Sequence, residues 1–245
     1  MRPKGRGMRK CKGNFGIRAL AMMGLLSCSL AATSAATNDG IAVAIVYDTS
    51  GSMKQSVRDA KGKSTAKYVI ANRALESIAR QIEKFSTNSS QATKPIHAGL
   101  WTFDGNGVRE AIKFGPFDPE RFVKWARGFS SPGSGTPLGN ALNTAAQGLT
   151  KSSFTKKHIL LITDGVNTVG PEPSTVLQRL KQRRDFAANV HFVAFDIDGK
   201  LFDPVKKLGV MVAEASDEKQ LNTQLDYILT QKILLEDEEP QPTKK

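Results

Sequence analysis

Cysteine is nearly absent: the 245 residues hold two, Cys11 and Cys28, and both precede residue 37. A domain that begins beyond them has no disulfide framework and no thiolate metal site. Histidine is scarce as well, with His97, His158 and His191 on three separate runs that read as strands. No Gly-x-Ser-x-Gly elbow and no Walker loop occurs anywhere in the chain. A serine hydrolase or a P-loop nucleotidase therefore lacks its parts. A membrane-spanning run is missing too, since the apolar segment Ala19 to Ala32 falls short of the roughly 20 residues a spanning helix needs and is diluted by Ser27 and Ser29.

Acidic residues are missing from the first 36 positions, which carry seven basic ones between Arg2 and Arg18, then the apolar segment, then small residues from Thr33 to Ala36. This is the layout of a secretory signal peptide over residues 1–36, with cleavage expected after Ala35 or Ala36. Leu25-Leu26-Ser27-Cys28 also carries the outline of a lipobox, a lesser alternative that would leave a lipid anchor on Cys28. Removing residues 1–36 takes away 7 of the 35 basic residues and none of the 23 acidic ones, so the formal charge falls from +12 to +5. The basic surplus thus belongs to the leader, and no nucleic-acid partner is expected. Export without disulfides suits a periplasm or a cell surface, with no transmembrane segment after cleavage.

What is present begins with the run Ile41 to Tyr47, rich in β-branched residues and bounded by polar ones, which reads as a strand buried on both faces. It ends in Asp48-Thr49-Ser50-Gly51-Ser52-Met53. A carboxylate at the carboxyl end of a parallel strand, followed by two hydroxyls around a turn-forming glycine, is a set of hard oxygen donors suited to a hard cation. The run His158 to Thr163 ends in Asp164-Gly165 and repeats the pattern. A parallel sheet would set Asp48 and Asp164 on one rim, where like charges repel until a cation arrives. Between them, Thr136 precedes Pro137 and a helical pattern, which also makes it a candidate N-cap.

Elsewhere, Lys54 to Ser64 reads as a basic solvated loop, and Ala71, Ala74, Leu75, Ile78 and Ile82 mark one face of the helix after it. Asp104-Gly-Asn-Gly107 signals a hairpin and hence an antiparallel edge strand. Strand and helix patterns then alternate to a last helix burying Leu221, Leu225, Ile228 and Leu229. The sum is an α/β class, a doubly wound and mostly parallel six-stranded sheet with helices on both faces. Residues 236–245 read as a disordered acidic and proline-broken tail. Asp196 and Asp198, at the end of another strand, fit a surface turn better than the paired aspartates of a metal-dependent phosphate hydrolase, because Lys200 and Ser50 stand where that chemistry wants other residues.

Asp48-x-Ser50-x-Ser52, Gly-Thr136-Pro-Leu-Gly and Ile-Thr-Asp164-Gly, in this order around an edge hairpin, resemble the von Willebrand factor type A domain over residues 38–235 and its metal-ion-dependent adhesion site. The resemblance implies a Rossmann-like fold and a metal held by Asp48, Ser50, Ser52, Thr136 and Asp164, some directly and some through water. Mg²⁺ is the expected ion, with Mn²⁺ or Ca²⁺ as substitutes. It further implies a module that binds and does not catalyse, taking an Asp or Glu of another protein at the metal, with Met53, Lys54, Ser134 and Asn167 on the partner-facing rim. A metal-independent scaffold subunit is the alternative.

Overall fold

Ile41 to Tyr47 offers no polar face to water, and it forms the central strand β1 (Ile41–Asp48), buried at every position. The computed structural model describes residues 39–87 and 94–235. The expected signal peptide, the alternative lipid anchor at Cys28 and the expected acidic tail lie outside the described residues. After a 3-10 turn (Gly51–Lys54) come β2 (Ser56–Arg58), β3 (Ser64–Ala66), α1 (Lys67–Thr87), β4 (Ile96–Asp104), β5 (Gly107–Pro116), α2 (Pro119–Gly128) and α3 (Leu138–Leu149). The rest is β6 (Lys156–Thr163), α4 (Pro173–Gln182), β7 (Asn189–Phe195), α5 (Asp203–Lys206), β8 (Met211–Ala215) and α6 (Glu218–Tyr227), which runs on as a π-helical segment (Ile228–Leu234).

Six strands make one sheet in the order β5-β4-β1-β6-β7-β8. Only β5 is antiparallel, joined to β4 through the expected hairpin. Side chains alternate across β1: Ile41, Val43, Ile45 and Tyr47 pack with α1, α2 and α6, whereas Ala42, Ala44 and Val46 pack with α3 and α4. The two alanines meet Ala141 and Ala145 of α3, so this helix lies close to the sheet. β1 is flanked by β4 on one side and β6 on the other, with Tyr47 level with Thr102 and Ile162. The chain leaves β1 toward α1 on one face and leaves β6 toward α4 on the other, so their loops part and open a crevice at the carboxyl ends. This is the doubly wound, mostly parallel sheet with one antiparallel edge that the patterning implies.

The expected loop from Lys54 to Ser64 is more ordered than its composition suggests, because β2 and β3 pair as an antiparallel ribbon. The Asp59 carboxylate closes its turn by accepting from Lys61 N at 2.9 Å and Lys63 N at 2.8 Å. Glu218 ties the ribbon to α6, accepting from Ala60 N at 2.7 Å and pairing with Arg73. Among the described residues no helix is long and apolar enough to cross a membrane.

Candidate metal centre

Asp48 is fully buried at the end of β1, and both of its oxygens are held. Oδ1 accepts from Ser50 N at 2.7 Å, the local turn expected of Asp followed by small residues. Oδ2 accepts from Thr163 Oγ1 at 2.6 Å, across to the neighbouring strand β6. The two serine hydroxyls lie 3.0 Å apart, and Ser52 Oγ donates to Asp164 Oδ1 at 2.7 Å. A continuous polar chain therefore runs from the loop after β1 to the loop after β6. Thr136 joins from a third loop: a Cβ placed on Gly165 would lie 3.4 Å from Thr136 Oγ1 and 3.7 Å from Ser52 Oγ.

The three loops are fastened to one another by main-chain contacts. Gly133 N donates to Thr49 O at 2.7 Å, and a Cβ on Gly51 would sit 2.8 Å from Gly133 O, so this approach needs glycine. Gly105 N donates to the carbonyl of Ser134, whose side chain is exposed. A Cβ on Gly139 would collide with the Pro171 carbonyl, which fixes the start of α3 against the loop after β6.

Thr136 does not cap α3. Pro137 occupies the N-cap position without a side-chain cap, and Asn167 Oδ1 instead accepts from Gly139 N at 3.3 Å. The Thr136 main chain is engaged by Thr168, through Thr136 N to Thr168 Oγ1 at 2.8 Å and Thr168 N to Thr136 O at 3.0 Å. Its hydroxyl is left to face Gly165. Of the expected rim, Lys54 and Ser134 are exposed and Asn167 half-buried, but Met53 is corrected: the 3-10 turn directs it into the core on the α1 face, where it is fully buried. It presents no surface to a partner.

One residue of the site escaped the sequence reading. Lys67, only 2 % exposed, opens α1 and places its ammonium 3.1 Å from Asp164 Oδ2 and 2.9 Å from Asp196 Oδ2, with Gln55 Oε1 at 3.3 Å. The signal was there, since Lys67 is four residues before Ala71 and so shares the apolar face of the helix. Asp196, expected in a plain surface turn, holds a left-handed φ of 56° and reaches this ammonium. Asp198 does form a turn, accepting from Lys200 N at 2.9 Å.

Burial pushes the Asp48 carboxyl up to about 6; hydrogen bonds from Ser50 and Thr163 hold it back, and the charge of Asp164 raises it further. Burial works against a charged Lys67, but its hydrogen bond to Asp196 and the charge of Asp164 outweigh this and raise its pKa. Among the described residues no three or more His, Cys, Asp or Glu side chains are grouped for a metal. The donors on offer are two carboxylates and three hydroxyls, all oxygen, which fits a small hard cation and not a soft one. The raised Asp48 fits as well, since a buried carboxylate short of positive charge is what a cation would relieve.

No curated protein matches the chain in sequence. Among solved structures, the PilB minor pilin from Streptococcus sanguinis superposes with a TM-score of 0.59 at 16% identity, covering 77% of this chain and 60% of the pilin. The chain thus spans only about 60% of that protein's length. The vWF domain of the type V pili tip protein Mfa5 from Porphyromonas gingivalis gives 0.56 at 13% identity, over 77% of this chain and 93% of that one. Proximal thread matrix protein 1 from the mussel byssus, with a zinc-occupied MIDAS motif, gives 0.58 at 16% identity over 78% and 47%. At such identities these neighbours establish the fold alone. The family model of the von Willebrand factor type A domain matches residues 42–227, most of the chain and every strand of the sheet but the first residue of β1, and this protein belongs to that family.

Proposed function

We propose that the chain is a metal-dependent protein-interaction module in which Asp48, Ser50, Ser52, Thr136 and Asp164 hold a divalent cation, Mg²⁺ or in its place Mn²⁺ or Ca²⁺. The observation that carries this reading is the polar chain from Asp48 through Ser50 and Ser52 to Asp164, which draws donors from two strand ends and leaves the Thr136 hydroxyl turned toward them. When bound, the cation supplies a coordination position that an Asp or Glu carboxylate of another protein takes. The chain's own residues do the rest: Thr163 and the Ser50 amide orient Asp48, Ser52 orients Asp164, and the glycine contacts at Gly51 and Gly139 hold the loops in register.

Lys54, Ser134 and the half-buried Asn167 remain as rim residues, beside the exposed Val166 and Val169 of the loop after β6. The module binds without catalysing, and it acts after export, in a periplasm or at a cell surface, in keeping with the leader and with relatives in fold such as a minor pilin and a pilus tip protein.

Thermal unfolding in EDTA and then in excess Mg²⁺ or Mn²⁺ tests the proposal. Ion at about a hundred times its dissociation constant adds roughly 2.7 kcal/mol, a clear rise in midpoint. Asp48→Ala is expected to lose that rise. No rise in the unaltered protein, or an equal rise in the variant, rejects the site.

A further inference from the structure

Among the described residues Lys67 is the only lysine or arginine that is buried, and it is buried against the metal centre. Its ammonium takes one oxygen of Asp164, at 3.1 Å, while the other oxygen accepts from Ser52 Oγ at 2.7 Å. Asp164 is therefore shared between a fixed cation and the site. On its far side the ammonium meets Asp196, whose side chain is 40% exposed, so that partner is partly screened by water. Asp164, with a fully buried side chain, is not.

A positive charge beside a cation site has two effects that follow from Coulomb's law. It opposes the incoming cation, and it relieves the repulsion between Asp48 and Asp164 when no cation is present. We propose that Lys67 is a built-in counter-ion and positioning residue of the metal centre, which keeps the Asp48 and Asp164 rim assembled without an ion and thereby weakens the cation's binding. The proposal rests on the metal-centre reading above. It deepens that reading in one respect: with Lys67 in place the loaded centre is one unit more positive toward an incoming carboxylate, so the site trades affinity for the ion against affinity for the partner.

Calorimetric titration of the full chain with Mn²⁺ tests it, comparing the unaltered protein with Lys67→Met and Asp196→Asn. Lys67→Met is expected to bind Mn²⁺ about tenfold more tightly, since a unit charge is removed close to the ion while Asp164 keeps its Ser52 hydrogen bond. Its midpoint in EDTA is expected to fall and to be recovered by Mn²⁺. Asp196→Asn, which leaves the ammonium leaning on Asp164 alone, is expected to bind Mn²⁺ more weakly than the unaltered protein. Equal or weaker binding by Lys67→Met, with binding intact in the unaltered protein, overturns the role of Lys67 and leaves the metal reading standing. No binding by either overturns the metal reading and this role together. Should Lys67→Met not fold, unchanged or tighter binding by Asp196→Asn overturns the role.

Discussion

β6 carries a buried polar cluster at each of its ends, and the two behave in opposite ways. At the carboxyl end, Thr163 reaches Asp48 on the α3 face of the sheet and Asp164 meets Lys67 on the α1 face. At the amino end, His158 stacks on His191 of β7 with ring centroids 5.7 Å apart and Nδ1 to Nε2 at 3.4 Å. Burial drives His158 down to about 3, helped by the charge of His191 and then of Lys156, and drives His191 down to about 4, helped by the charge of Lys232. At the carboxyl end burial also works against a charged Lys67, yet its partners raise its pKa. The difference is the sign of the neighbours: loops after β1, β6 and β7 bring hydroxyls, amides and opposite charges to one place, whereas at the amino end the two imidazoles face each other and Lys156 and Lys232 add charge of the same sign as a protonated ring. Depth of burial does not decide whether a group stays charged; the partners do.

If that account is right, removing a partner at the carboxyl end is costly. Lys67→Met, in EDTA, strands Asp164 without its counter-charge, and a loss of about 3–5 kcal/mol is expected from urea unfolding. A loss below about 1 kcal/mol would mean that water already solvates Asp164 and that the contrast between the two ends is false. Thr163→Val keeps the shape and the strand preference but removes the donor to Asp48 Oδ2, with an expected cost of about 1.5–3 kcal/mol for a hydrogen bond to a charged group. The same variant is expected to weaken Mn²⁺ binding, since Asp48 loses its orientation; unaltered binding would show that Ser50 N alone sets it.

The sheet was legible because its signals are strong and local: a run of seven buried residues, a hairpin turn at Asp104 to Gly107, and two apolar runs each followed by Asp. The meeting of Asp48 with Asp164 followed from topology, since both ends fall on one rim of a parallel sheet. What escaped depends on directions that spacing does not carry. Met53 follows two serines that face the site, but a 3-10 turn rotates it inward. Thr136 precedes a helical pattern, yet Pro137 takes the cap position and Asn167 supplies the cap from a distant loop. Lys67 lies just past the basic stretch that ends at Ser64, and although its helical phase puts it on the core face, only the meeting with Asp164, 97 residues away in sequence, and Asp196 gives its charge a role there.

The amino end gives the smallest effect and the cleanest sign. Both histidines sit below the ordinary value of about 6.5, so between that pH and their folded values the unfolded chain takes up protons that the native protein refuses. Their contribution is complete above pH 7 and is lost as the pH falls, toward about 4 for His191 and about 3 for His158. By pH 5.5 the loss at His191 comes to about 1 kcal/mol. Asp48, raised to about 6, runs the other way and relieves a cost on acidification, so the total curve conceals both. The difference between His191→Gln and the unaltered protein isolates the histidine: urea unfolding in EDTA at pH 7.5 and 5.5 is expected to show the variant losing about 1 kcal/mol less across that interval. Equal losses would mean that His191 gains its proton in the folded state, and that the amino end holds charge as readily as the metal centre does.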